Sequence, residues 1–150
     1  MTLLQRMIGF ILSMLVLSAA YAQTPEGLWV AVDDQTGQKR AVVDFRKHGN
    51  IMSGTIIKVF AEPGDTGFCR KCPGIFKDKP IIGLKLVWGL RENMPGVWED
   101  GHILDAKNGK IYRLRVQVKN NQLYLRGYIG IAILGKTQLW QRPNSQDLQS

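Results

Sequence analysis

After residue 22 the chain alternates apolar and polar residues with a period of two, and this pattern restricts the possible folds more than any other feature. The alternating runs are short and are separated by Gly, Asn and Pro. In Lys110 to Lys119, for example, every second residue from Tyr112 to Val118 is apolar. None of these segments holds a 3.6-residue apolar period long enough for a helix. The pattern predicts an all-β chain.

Eight or nine short strands account for these runs. Their regular turn spacing favours a closed antiparallel up-and-down β-barrel of about eight strands over a sandwich. A barrel of this size encloses either packed side chains or one small ligand. The predicted strands are Leu28 to Asp33, Arg40 to Arg46, Ile51 to Phe60, Ile81 to Trp88, two strands within Val97 to Asp105 separated by a turn at Asp100 and Gly101, Lys110 to Lys119, and two within Gln122 to Arg142.

Two dipeptides, Asn108–Gly109 and Asn120–Asn121, predict tight hairpins, because Asn and Gly tolerate the positive φ angles of two-residue turns. The second hairpin fixes the strand register and places Arg115 directly opposite Arg126. Opposed arginines repel unless an anion lies between them. Arg115, Arg126 and the neighbouring Tyr128 are therefore candidate ligand-binding residues. The alternative is that the two arginines extend into water on the outer wall.

The N-terminus has the features of a secretory signal peptide. Arg6 supplies a positive charge, an apolar run extends from Met7 to Leu17, and Ala20 to Ala22 form a small-residue cleavage site. The run is too short to span a membrane comfortably. We expect cleavage after Ala22 and a soluble periplasmic or secreted protein. Residues 23–150 then form one domain, with a core at 26–142 and a flexible tail at 143–150.

The chain is basic, with a formal net charge of +8, or +7 once Arg6 is removed with the signal peptide. A basic exported protein is expected to meet anionic partners, such as lipid headgroups, envelope polymers or acidic small molecules. The cations are scattered rather than clustered, and we do not expect nucleic acid to be a partner.

A match to the phosphate-binding pattern GxxxxGKT occurs at Gly130, Gly135, Lys136 and Thr137. A working loop of this type must open a helix, whose N-terminal N–H groups hold the phosphates. Here the following residues read as a short strand that stops at Pro143, and we interpret the match as incidental. The chain also lacks GxSxG and HExxH motifs. We predict no enzymatic activity, no cofactor and no metal.

Cys69 and Cys72 are the two cysteines, in the sequence CRKC. In an exported protein an even cysteine count favours a disulfide. Metal binding, redox chemistry and a free cysteine pair remain alternatives, although both histidines lie in distant turns and no thioredoxin-like pattern surrounds the pair.

Five segments together resemble the secreted bacterial family called domain of unknown function 2147. They are Gly27 to Trp29, Asp33 and Asp34 followed by Thr36 and Gly37, Lys77 to Leu90, Gly101 to Tyr112, and Arg126 to Arg142. The resemblance covers Glu26 to Arg142. It departs from the usual pattern at Ala106, where such proteins usually carry Pro.

The resemblance implies a lipocalin-like or streptavidin-like barrel, without an established activity or known catalytic residues. In such barrels a Gly-x-Trp on the first strand packs beneath an Arg near the end of the domain. Gly27, Trp29 and Arg142 match those places, and we expect them to be structural, with the Arg lying over the indole face.

Two functions are compatible with these features. The first is binding of a small amphipathic or acidic ligand, whose charge lies near Arg115, Arg126 or the cysteine loop. Arg126 and Tyr128 resemble in spacing the Arg-x-Tyr pair that holds a carboxylate in intracellular fatty-acid-binding barrels. The second is a non-enzymatic envelope interaction module with a solid barrel. That module would act through an outer face or through a loop, where Arg70 and Lys71 are candidate contacts.

Overall fold

The computed structural model is a closed barrel of eight antiparallel strands, and it describes residues 23–128 and 136–149. Each strand pairs with its neighbour in the chain, and β1 closes the ring against β8 through Val30 and Gln141. The all-β barrel predicted from the sequence is thus confirmed. The strands are β1 (Gly27–Val32), β2 (Lys39–His48), β3 (Ile51–Val59), β4 (Lys85–Met94), β5 (Val97–Asp105), β6 (Lys110–Lys119), β7 (Gln122–Tyr128) and β8 (Lys136–Gln141).

The two ends of the barrel differ in their connections. At one end, here called the tight end, β2–β3, β4–β5 and β6–β7 are each joined by two residues. At the opposite end, here called the loop end, β1–β2 and β5–β6 have longer connections, and residues 60–84 join β3 to β4. The predicted signal peptide, Met1 to Ala22, lies outside the described residues.

The β6–β7 hairpin has the predicted register. Asn120 and Asn121 adopt φ angles of 50° and 59°, as a two-residue turn of this type requires. Arg115 lies opposite Arg126, and Val118 lies opposite Leu123. The inward face of β6 and β7 carries the leucines and valines, and the arginines therefore face outward.

Three local predictions differ from the structure. β4 begins at Lys85 rather than Ile81; Gly83 and Leu84, at the end of the preceding connection, still hydrogen-bond to the backbone of Ile56 in β3. β5 is one continuous strand: Asp100, with a φ of 60°, belongs to a bulge and not to a turn. The β5–β6 turn spans four residues, Ala106 to Gly109, rather than the dipeptide Asn108–Gly109 alone.

The large buried side chains of the core lie mainly toward the tight end. Here inward-facing aromatic and long aliphatic side chains fill the space between the strands, and ring packing includes an edge-on contact of Phe45 and Trp140 at 6.2 Å. The large buried inward side chains are Trp29, Phe45, Met52, Leu90, Trp98, Leu114, Leu123 and Trp140.

The C-terminal segment crosses the outside of β1, β2 and β3. Asp147 is only 4% exposed, and its carboxylate lies 2.6 Å from Lys39 Nζ. Lys58 Nζ also donates a hydrogen bond to the carbonyl of Gln149. Val30 and Val42, which pair on the outward faces of β1 and β2, are fully buried. Asp147 and Gln149, in the segment predicted to be a flexible tail, thus contact the barrel.

Within the described part of the chain, helices are limited to short 3-10 turns, and none is long and apolar enough to cross a membrane.

Candidate functional site

The tight end is sealed on one side by Arg142 and Trp29. The guanidinium carbon of Arg142 lies 3.7 Å from the centroid of the indole, and Nη1 donates to the carbonyls of Glu26 and Leu28. Trp29 Nε1 donates to Pro25 O at 2.8 Å. Gly27 has a φ of 103°, and a Cβ there would lie 2.9 Å from Arg142 Nη1, which explains the glycine. The three residues form a structural seal.

At the loop end the inward-facing positions are smaller and more accessible to solvent. Toward the tight end, inward residues such as Trp29 and Leu123 are fully buried, whereas most of those at the loop end are half-buried or exposed, Ala41 and Val87 being the buried exceptions. We call this set the loop-end cup. Its members, identified from strand register, are Ala31, Val59, Ile103, Tyr112, Gly127, Lys136 and Gln138.

The polar groups of the loop-end cup lie on one side. Lys136 pairs with Gly127 across the β7–β8 ladder, in line with Gln138 and Trp140, so its position faces inward. Among the described residues Lys136 has no ion-pair partner. Tyr112 is inward on β6, and its hydroxyl accepts a hydrogen bond from Asn108 Nδ2 at 3.3 Å. The cup therefore combines an apolar wall with one cation and a phenol.

Two loops meet across the mouth of this cup. Lys107 Nζ, in the β5–β6 turn, lies 3.8 Å from Asp33 Oδ2, in the β1–β2 connection on the other side of the barrel. Backbone N–H groups of Thr36 and Gln35 donate to Asp33 and lower the pKa of its carboxyl, and Lys107 acts in the same direction. The carboxylate is thus held ionised, which keeps the contact across the mouth attractive.

The cysteine lobe, defined as residues 67–82, covers one side of the loop end. Cys69 and Cys72 are buried with Cα atoms 5.3 Å apart and with sulfurs at bonding distance. Phe76 stacks on Trp88 with ring centroids 5.4 Å apart, which attaches the lobe to β4. Arg70 and Lys71 are exposed on the lobe. Arg70 pairs with Asp78 at 3.2 Å and lies over the ring of Phe68.

The residues predicted to bind a ligand on β6 and β7 lie on the outer wall. Arg115 Nε pairs with Glu99 at 3.2 Å, and Arg113 lies over the ring of Tyr128 at 5.5 Å. Arg126 faces the same side, opposite Arg115 and Thr137. A ligand inside the barrel therefore cannot contact Arg115, Arg126 or Tyr128. The alternative interpretation of the sequence, in which Arg115 and Arg126 lie on the outer wall, agrees with this register.

The GKT tripeptide does not open a helix. Lys136 and Thr137 are the first residues of β8, and Thr137 pairs with Arg126 of β7. Gly130 and Gly135 lie outside the described residues. The helix N-terminus that a phosphate-binding loop requires is replaced by a strand. The same tripeptide nevertheless places Lys136 at an inward position. The sequence contains a signal for this, because every second residue of a strand faces the same side, and Lys136 is four residues before the inward Trp140.

Among residues 23–128 and 136–149, His, Cys, Asp and Glu side chains form no group of three or more that could hold a metal ion.

Comparison with known proteins agrees with this geometry. A family model described as "Uncharacterized protein conserved in bacteria (DUF2147)" matches residues 27–142. The chain belongs to this family. No curated protein matches the chain.

Among solved structures, the DUF2147 chain is similar to protein HP1028 from Helicobacter pylori, whose description places it in the lipocalin family. The match has a TM-score of 0.69 at 17% sequence identity, and covers 82% of this chain and 85% of the other. At this identity the likeness shows the lipocalin-like fold.

Proposed function

We propose that this DUF2147 protein is a non-catalytic, exported binding protein that holds a small amphipathic anion in its loop-end cup. The observation that carries the proposal is that the size and burial of the inward side chains decrease along the barrel axis from the tight end to the loop end. Inward side chains change from buried aromatic groups at the tight end to Ala31, Gly127 and Lys136 at the loop end, and Lys136 has no ion-pair partner in the described part of the chain. A lipocalin-like fold is compatible with such a ligand.

The cup offers separate places for the two parts of an amphipathic molecule. Ala31, Val59 and Ile103 present apolar surface to the hydrocarbon part. Lys136 supplies a positive charge, and the Tyr112 hydroxyl, which already accepts from Asn108, retains its proton to donate to a ligand oxygen. A carboxylate or sulfonate bound there would receive charge-assisted hydrogen bonds.

A substitution at Gly127 provides a direct test of whether a ligand occupies the loop-end cup. A Cβ at this position would meet Tyr112 at 3.6 Å, which is ordinary contact, so a larger side chain can enter the cup without backbone strain. Gly127→Leu should therefore occupy ligand space while preserving the fold. Lys136→Gln should remove the charge and preserve the space.

The experiment measures binding of anilinonaphthalene sulfonate, an amphipathic anion, together with native mass spectrometry of the protein as purified. We expect both variants to weaken dye binding, Lys136→Gln by about tenfold, the value of one charge-assisted hydrogen bond. Lys85→Gln is the matched control, since Lys85 is an exposed cation paired with Thr55 on the outer wall. Equal binding by the parent and both cup variants would refute the proposal.

Export after cleavage at Ala22 belongs to the same proposal and has its own test. Cell fractionation should place the protein in the periplasm, and the mass of the purified chain should correspond to a start at Gln23. A full-length chain in the cytoplasm would contradict this part and leave the cup unaffected.

A second candidate function is contact with an anionic membrane surface through the cysteine lobe. Ile75, at the 3-10 turn Gly74–Phe76, is 76% exposed, and Ile82 and Phe68 are also exposed. The basic residues Arg70 and Lys71 lie on the same lobe, and anionic lipid attracts such cations. Replacing both by Gln should reduce cosedimentation with phosphatidylglycerol vesicles and leave thermal stability unchanged. Undiminished cosedimentation would exclude this candidate.

A further inference from the structure

A hollow of about 400 Å³ lies at the tight end, remote from the loop-end cup. It is formed between the β2–β3 and β4–β5 hairpins, which the β3–β4 pairing of Ile51 with Arg91 holds side by side. Its size is in the range of small-molecule sites. The lining residues are Lys47, Asn50, Arg91, Glu92, Asn93 and Trp98.

The hollow is rich in hydrogen-bond donors. Within the described chain, Lys47 and Arg91 have no ion-pair partners, although both lie at the hollow. The single lining carboxylate, Glu92, already accepts a hydrogen bond from Gly96 N at 2.9 Å. Glu99 lies opposite Arg91 in the β4–β5 ladder, but it already pairs with Arg115 at 3.2 Å and accepts a hydrogen bond from Asn93 at 2.7 Å. The two cations therefore outnumber the carboxylates left to neutralise them, which favours an anion in the hollow.

Trp98 provides an independent indication of a missing acceptor. The side chain is 3% exposed, and its indole N–H is buried without a hydrogen-bond partner among the described residues. A buried donor left unpaired is destabilising, so such groups usually have a hydrogen-bond partner in the functional state. Trp98 lines the hollow, and because its indole nitrogen is buried, an incoming oxygen reaches that nitrogen only when neighbouring side chains shift.

From these observations we propose that the tight-end hollow is a second binding site, for a small organic molecule that bears a phosphate or carboxylate group. Lys47 and Arg91 hold the oxyanion, with Arg91 able to form two parallel hydrogen bonds to it. Asn50 adds an amide donor, and Trp98 N–H turns toward a ligand oxygen. This site uses none of the loop-end cup residues, and it stands or falls separately from the proposed function.

The test is a nitrogen–proton NMR titration of the full protein with inorganic phosphate, phenyl phosphate and benzoate. The four tryptophan side chains give separate indole N–H signals, and the Trp98→Phe variant identifies the one from Trp98. We expect a saturable shift of the Trp98 signal. A larger affinity for phenyl phosphate than for the other two probes identifies a phosphate ester as the ligand, and a preference for benzoate identifies a carboxylate.

Charge variants then distinguish a site from general attraction to a basic protein. Lys47→Gln and Arg91→Gln should each weaken the affinity by about three- to tenfold, and both residues are exposed enough to be replaced without unfolding. Lys79→Gln removes an exposed charge from the cysteine lobe and should leave the affinity unchanged. The proposal is overturned by a Trp98 signal that does not saturate with any probe, or by equal weakening in all three variants.

Discussion

Gly109 lies directly against the main-chain carbonyl of Lys71, so that a Cβ atom at position 109 would overlap the carbonyl oxygen. This contact joins the β5–β6 turn to the cysteine lobe. It couples two connections that are far apart in the chain, and it explains why the turn ends in glycine.

Gly109→Ala should displace the cysteine lobe from the β5–β6 turn. The substitution adds both the strain of a φ of 77° and a steric overlap with Lys71. We expect a loss of unfolding free energy well above the roughly 1 kcal/mol that positive-φ strain alone costs. Urea unfolding gives the loss, and hydrogen exchange of residues 67–82 should accelerate.

Gly37→Ala is the matched control for this prediction. Gly37 has a similar φ of 72° but nothing within 4 Å of its Cβ position. The difference between the two variants isolates the contact with Lys71. If both lose the same stability, the contact does not hold the lobe in place.

Arg142→Ala should destabilise the tight end. The variant loses the cation–π contact with Trp29 and the hydrogen bonds to the carbonyls of Glu26 and Leu28. We expect a loss of about 2–4 kcal/mol, measured by urea unfolding. Arg46→Ala, at a side chain that is 74% exposed, should change stability by less than about 0.5 kcal/mol. A small effect of Arg142→Ala would show that the seal adds little to stability.

The packed C-terminal segment should make stability depend on pH. The hydrogen bond from Lys39, followed by that from the backbone of Asn144, lowers the pKa of Asp147 below its ordinary value of 3.8. A depressed folded-state pKa contributes stability above the unfolded-state pKa, and this contribution is lost as the pH falls through the folded-state pKa. The loss should therefore begin below about pH 4.

Asp147→Asn tests this linkage. Parent and variant should differ in unfolding free energy at neutral pH and converge in strong acid. Lys39→Gln should reduce the same pH dependence, because it removes the hydrogen bond that contributes most to lowering the pKa of Asp147. Parallel curves for parent and Asp147→Asn down to strong acid would show that this carboxylate does not link stability to pH.

Cys69→Ser combined with Cys72→Ser should loosen the cysteine lobe. Closing so short a loop is worth about 2 kcal/mol in the chain-entropy account. The serines also place hydroxyls where sulfurs are now buried. Limited proteolysis should cut within residues 67–82 faster than in the parent, while the barrel strands stay protected. Unchanged cleavage would indicate that the other contacts of the lobe, including Phe76 on Trp88 and Lys71 against Gly109, are enough to hold it.

The barrel could be predicted from the sequence because its signals are local. Asn120 and Asn121 have the positive φ angles expected of them, and the register from Val118 to Leu123 follows from that turn alone. Asp100 misled the prediction, because a positive φ in a bulge leaves the same sequence signature as a turn.

The features that the sequence did not reveal depend on long-range contacts. Asp147 finds its partner Lys39 at a separation of 108 residues, so nothing near residue 147 indicated a packed segment. The outward direction of Arg115 was one of two alternatives drawn from the sequence, and the choice between them depends on which face of β6 the other strands bury. Lys136 was considered only as part of a phosphate-binding motif, and its inward position depends on pairing with Gly127.

The pairing of β1 with β8 also determines how the chain could be rewired. Arg142 reaches the carbonyl of Glu26, so both ends of the strand sequence emerge side by side at the tight end. A short peptide linker could therefore join the end of β8 to the start of β1, with new termini introduced at the β2–β3 turn. We expect this circular permutant to form the same barrel.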